Sequence, residues 1–232
     1  MDTLVITRYY THTRTEISPL LPGHIDRLLE IGCGTGNTSA WIKNRWGCIW
    51  CGGVEVFPPA AEEAKTNLNS VYVGDIETIE LPIEKETIDV ILCLDVLEHL
   101  VDPWSVMQRL TTLLRPGGAI IASIPNVRNV HVVIPLLLFG KWDYTQDNYL
   151  DKTHLRFFTK RTAIALMECS GLTLDMLCST GFEESWNNAR IANALTFGLL
   201  QGIFERGYLL RARKPVYNKR GAASPSISAR GG

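Results

Sequence analysis

The stretch "LLEIGCGTGNTSAWIK", Leu28 to Lys43, limits what this chain can fold into more than any other. An apolar run enters a turn with glycines at 32, 34 and 36, and a helical pattern leaves it, so the turn joins a strand to a helix. The same alternation fills most of the chain. A strand at Arg27 to Ile31 precedes a helix from about Asn37 to Trp46. "CIWCGGVEV", ending at Val56, precedes "PPAAEEAKTNL", whose prolines suit a first helical turn. "SVYVGD" leads through a polar loop to "TIDVILCLDV", unbroken enough for a central strand covered on both faces. A helix from Pro103 to Leu114 is stopped by "RPGG", and a strand from Ala119 to Ile124 follows. Such alternation predicts an α/β fold, a doubly wound and mostly parallel sheet with right-handed crossovers.

After Pro125 the pattern changes. Residues 125–158 are long for a connection and rich in aromatic, His and Arg residues, which predicts a substrate-side insertion, a lid after strand five. Thr159 reads as the N-cap of "KRTAIALMECS", closed by Gly171. A strand "LTLDMLC", a helical segment from about Trp186 to Glu205 and a last strand "GYLLRARKP" complete a sheet of seven. Residues 1–216 then form one domain, while 217–232 have too little apolar content to fold.

The 232 residues, 46% hydrophobic and 20% charged, suffice for one core burying roughly 70–75% of the unfolded surface. Lys+Arg (23) and Asp+Glu (24) nearly cancel, so bulk charge calls for no nucleic-acid partner. No basic segment followed by an apolar one opens the chain, and "VVIPLLLFG" falls short of the ~20 residues of a membrane span, so a cytoplasmic protein is expected. Cys48 and Cys51 form a lone CxxC; strand alternation puts them on opposite faces and makes them plain apolar cysteines.

The glycine turn reads G-x-G-x-G and lacks the third glycine that the dinucleotide fingerprint requires. Glu30, two residues ahead of it, is a poor neighbour for a pyrophosphate and a good one for a cation. Glu55 ends strand two, where a carboxylate accepts from both ribose hydroxyls. Asp75 and Asp95 end the next two strands, and ligands of open α/β sheets lie beyond such ends.

In order, "LEIGCGTG", "VEV", "GDIE", "DVILCLDVLEHLVDP" and "LLRPGGAIIASIPN" resemble the class I S-adenosylmethionine-dependent methyltransferases, over Leu28 to about Asn126. The resemblance implies S-adenosylmethionine as cofactor, with contacts on Glu30, Gly32, Cys33, Gly34, Gly36, Glu55, Val56, Asp75, Ile76, Asp95 and Val96. Tyr10 resembles part of an N-terminal segment that closes over the cofactor. The Asn/Asp-Pro-Pro-aromatic motif of nucleobase methyltransferases is missing from "LDVLEHL", so DNA and RNA acceptors are excluded.

"GKWDYTQDNYLDKTHLRFFT" together with "IPNVRN" resembles bacterial methyltransferases associated with glycan assembly, and more distantly the O-methyltransferases of quinone synthesis. A sugar or other small hydroxylated acceptor is expected, with a quinone or phenol as the alternative and a non-catalytic partner protein of the same fold as a second class. Asn126, Trp142, Tyr144, Asp151 and Arg156 are the candidate acceptor-binding residues. An alcohol acceptor must lose a proton, which makes His154, oriented by Asp151, and His99 the candidate bases; His99 also reads as a brace for the cofactor loop. No metal site is expected.

Overall fold

The computed structural model describes residues 10–146, 149–181 and 201–216. Seven strands form one sheet in the order β3-β2-β1-β4-β5-β7-β6. They are β1 (Arg27–Ile31), β2 (Trp50–Glu55), β3 (Ser70–Val73), β4 (Ile88–Leu94), β5 (Leu114–Pro125), β6 (Thr173–Thr180) and β7 (Gly207–Arg213). The first five pair with one another in parallel, and β7 runs antiparallel between β5 and β6. The order reverses between β1 and β4, the switch point where an open α/β sheet leaves a crevice.

The helices are α1 (Asn37–Trp46), α2 (Pro58–Asn67), α3 (Pro103–Leu113), α4 (Val130–Phe139) and α5 (Lys160–Glu168), with a last turn at Gln201–Phe204. Local chemistry sets their starts. Asp102 accepts from the Ser105 amide at 3.1 Å, Asn129 from His131 at 3.0 Å, and Thr159 and Thr162 form a reciprocal capping box. Strand alternation divides the core. Leu29, Ile31, Ile91 and Cys93 pack with Val106 and Met107 of α3 and Leu166 of α5 on one face. Leu28, Val90 and Leu92 pack on the other with Ile42 of α1, Ala64 of α2 and Ile17 and Leu20 of the 3-10 turn Thr15–Leu20. Each fully buried Leu or Ile contributes about 1.5–3 kcal/mol.

Three local readings change. β5 begins at Leu114, which pairs with Ile88 of β4; "RPGG" follows as an irregularity in register, and pairing resumes at Ala119 with Val90. The insertion contains α4, whose internal Pro135 and continuous apolar run hide the helical period; Leu137, Leu138 and Phe139 of this helix are exposed. Cys48 precedes β2, so alternation does not separate it from Cys51: both thiols are buried, reduced and hydrogen-bonded to each other. Of the helix expected from about Trp186 to Glu205, residues 186–200 lie outside the described residues and its end is the helical turn Gln201–Phe204; the tail from 217 also lies outside them. Among the described residues, no helix is long and apolar enough to cross a membrane.

Candidate active site

The glycine turn leaves β1 at the switch point, and Gly32, Gly34 and Gly36 all take positive φ. Gly34 is the most constrained of them. At φ +52° a Cβ there would stand 2.6 Å from the Tyr10 carbonyl oxygen. That oxygen accepts from the Thr35 amide and hydroxyl, both at 3.0 Å, so the N-terminal segment is fastened across the turn. The Tyr10 ring stacks on Phe57 with centroids 4.9 Å apart. Glu55 lies buried beneath this closure, accepting from Gly34 N at 2.8 Å and Phe57 N at 2.8 Å. Its carboxylate keeps lone pairs for two further donors, as a vicinal diol requires.

Glu30 is buried and accepts from the Ser39 hydroxyl at 2.5 Å. Burial pushes its pKa up to about 7, against the lowering effect of Ser39. Such a carboxylate gains from a nearby cation. Asp95, at φ 54°, is not the bare acid that the sequence suggests: it pairs with Arg14 and accepts from Ser123 Oγ at 2.6 Å. Arg14 also donates to Ser123 Oγ at 3.2 Å, so one guanidinium ties the N-terminal segment to the ends of β4 and β5. Val96 stands against Gly32, whose added Cβ would meet Val96 Cγ2 at 2.7 Å. Cys33 is buried beneath the turn, with burial pushing its thiol pKa up. Val56 is exposed, Asp75 is exposed and accepts from Glu77 N at 2.8 Å, and Ile76 lies in the core.

Beyond β4 the 3-10 turn Leu97–His99 meets the insertion. Leu155 N and Arg156 N both donate to the Glu98 carbonyl, at 2.8 and 2.9 Å. This seam sets the His99 and His154 rings edge to face, 4.7 Å between centroids. Burial first, and then His154, lowers the His99 pKa, so the imidazole is neutral at pH 7. His154 Nδ1 lies 3.2 Å from the Tyr149 carbonyl. Asp151 does not orient His154 as the sequence suggests; its Oδ1 accepts from Thr153 N at 2.8 Å and Thr153 Oγ1 at 2.6 Å, and Thr153 contacts His99. Glu98 is buried with an unpartnered Oε2, and Glu98, His99 and His154 offer ligand atoms within 4.8 Å of one another, a group able to converge on a metal ion.

The other acceptor candidates have their own partners. Asn126 is buried, with Nδ2 donating to the Gly202 and Glu205 carbonyls at 2.9 Å each and Oδ1 accepting from Arg128 N at 3.0 Å, which leaves it no spare donor. Arg156 donates to the Val101 carbonyl at 3.0 Å and lies over the Trp104 ring. Trp142 packs edge-on against Phe157 at 5.3 Å, and Tyr144 is exposed. A cavity of about 630 Å³ beside Tyr149 is lined by apolar Val132, Pro135 and Leu150 and by polar His131, Lys141, Asp143, Thr145 and Arg206. Sequence reasoning missed Arg14, Glu98 and Thr153. The contacts of Arg14 with Asp95 and of Thr153 with His99 form only through the fold, and no local pattern marks them.

The residues fit S-adenosylmethionine: a diol acceptor at Glu55, buried acidity at Glu30, and a glycine turn that admits no side chain at Gly34. Comparison with known proteins agrees. The family described as "Methyltransferase domain" matches residues 6–177. A ubiquinone biosynthesis O-methyltransferase of Cupriavidus pinatubonensis is 26% identical over 70% of this chain and 72% of its own length. Another, from Paracidovorax citrulli, is 26% identical over 86% and 84%. Among solved structures, a SAM-dependent methyltransferase from Archaeoglobus fulgidus superposes with a TM-score of 0.63 at 18% identity, covering 92% of this chain and all of the other. Fold, cofactor cradle and family match converge on one assignment: the chain belongs to the methyltransferase domain family and is an S-adenosylmethionine-dependent methyltransferase.

Proposed function

We propose that the chain methylates a phenolic hydroxyl of a small quinone-type aromatic acceptor. The observation that carries this reading is the shared name of its relatives, ubiquinone biosynthesis O-methyltransferase, which favours a quinone or phenol over a sugar. The site's chemistry supports it. A phenol has a pKa of about 10, within the range that a neutral imidazole assists far more readily than it does an alcohol.

The cofactor, when bound, supplies a methyl group already activated on a sulfonium. The protein's task is therefore placement and removal of one proton. Glu55 holds the ribose hydroxyls and Glu30 lowers the energy of the cationic end. Arg14, held by Asp95, offers a guanidinium to the carboxylate at the same end. His99 takes the hydroxyl proton, and His154 packs its ring in place. The apolar wall of the cavity beside Tyr149 accommodates the aromatic body.

The test is turnover with S-adenosylmethionine and a catechol, beside a nucleotide sugar, followed by S-adenosylhomocysteine release and mass analysis of the acceptor. A catechol methyl ether supports the proposal. Methylation of the sugar alone returns the glycan reading, and cofactor binding without by-product from any acceptor points to a non-catalytic partner protein.

A further inference from the structure

Helix α4, Val130–Phe139, has His131 as its single titratable residue, and the fold leaves one side of it uncovered. Val132 is buried against the body of the protein. Ile134, Leu137 and Leu138, at i, i+3 and i+4, form a stripe on another side, 44%, 74% and 68% exposed, and Leu136 and Phe139 extend it at 40% and 70%. A contiguous exposed apolar patch of this kind marks a contact face.

Cations stand at both ends of the helix. Lys141 follows its last turn, and Arg128, just before the N-cap Asn129, lines a groove of about 530 Å³ with Lys160 and Arg161. All four are exposed, and among the described residues none of them makes a salt bridge. Over residues 126–165 six lysines and arginines stand against three aspartates, whereas the whole chain has a net charge of -1. An occupant of this face must therefore be apolar at the stripe and anionic around it. A second copy of the chain fails that requirement. Paired antiparallel, its Lys141 would lie beside Arg128 and Lys160; paired parallel, like ends would meet. A bilayer with anionic headgroups meets both demands, and the helix, about 15 Å long, is too short to cross a hydrocarbon core of ~30 Å.

We propose that α4 docks this protein on the surface of an anionic bilayer, with its apolar stripe in the outer acyl region and the four cations among the headgroups. Val132 and Pro135 of the same helix line the cavity beside Tyr149, so docking sets that cavity next to the membrane. The proposal stands on this surface alone and does not depend on the identity of the methyl acceptor.

Sedimentation of the full chain with vesicles tests it, one set made of phosphatidylcholine alone and the other of phosphatidylcholine mixed with phosphatidylglycerol. Wild type is expected to bind the anionic vesicles at low salt, less at high salt, and the neutral ones weakly. Replacing both Leu137→Glu and Leu138→Glu, at exposed positions, should lower vesicle affinity at least about tenfold and leave the cofactor Kd unchanged. Lys141→Gln should lose about fivefold, on the anionic vesicles alone. Hydrogen exchange of the wild type needs no variant: the amides of residues 136–141 should slow when anionic vesicles are added. Failure to bind anionic vesicles, equal binding to both sets, binding that survives the double replacement, or unchanged exchange over 136–141 overturns the proposal. So does a dimer that the double replacement dissociates, which would make the stripe a self-association face. A chain that docks but methylates no phenol defeats the acceptor reading and leaves the docking standing.

Discussion

The amide of Gly34 donates to the carboxylate of Glu55 across 2.8 Å, joining the glycine turn after β1 to the end of β2. One acid thus shapes the turn and faces the space above it. Glu55→Ala should weaken S-adenosylmethionine binding by about 1.5–3 kcal/mol in isothermal titration, the scale of lost charged hydrogen bonds. Unchanged affinity would remove Glu55 from the ribose site.

Gly34→Val combines a positive φ with a Cβ 2.6 Å from the Tyr10 carbonyl. The variant should displace the N-terminal segment and abolish measurable cofactor binding while the sheet, whose strands it does not touch, stays folded by circular dichroism. Normal binding by a folded variant would refute the assignment of the turn.

Glu30 has a pKa raised to about 7 by burial, so its charged form is disfavoured in the folded, ligand-free protein. Its contribution to stability is fully present below about pH 4.5 and is lost as pH rises through 7. Glu30→Gln should therefore gain on wild type over that window, by on the order of 2–3 kcal/mol at pH 8, in ligand-free urea melts. A difference that does not change with pH would mean that Glu30 ionises normally.

Asn126 spans β5 and the segment before β7, with both amide hydrogens on the carbonyls of Gly202 and Glu205. Asn126→Ala takes one donor from each carbonyl, leaving Asn129 Nδ2 on that of Glu205, and should cost about 1–3 kcal/mol in urea unfolding. A loss below about 1 kcal/mol would show that water replaces it.

The sequence is legible where a single segment carries the signal. The β1 turn, the burial of β4 and the cap at Thr159 follow from local pattern, and the strands so read place Glu30, Glu55 and Asp95 at their ends. What local pattern cannot carry is a contact between distant segments. Arg14 reaches Asp95 across 81 positions, and Thr153 reaches His99 across 54. Asn126 and Arg156 look like free polar groups in sequence, but backbone carbonyls from other segments occupy them. Cys48 and Cys51 meet because β2 starts two residues later than the apolar pattern indicates.

His154 shares an edge-to-face contact with His99, and its Nδ1 lies 3.2 Å from the Tyr149 carbonyl. His154→Phe, which keeps an aromatic ring against His99, should reduce kcat by less than about tenfold in steady-state assays of the catechol reaction. A loss near 10²-fold would make His154 the base.

The most direct test of the account is turnover by His99→Ala with S-adenosylmethionine and a catechol, measured beside the cofactor Kd of the same variant. If His99 takes the acceptor proton, kcat falls by about 10²-fold or more and cofactor affinity is nearly unchanged. An unchanged kcat, or a loss of turnover matched by an equal loss of cofactor affinity, would contradict it.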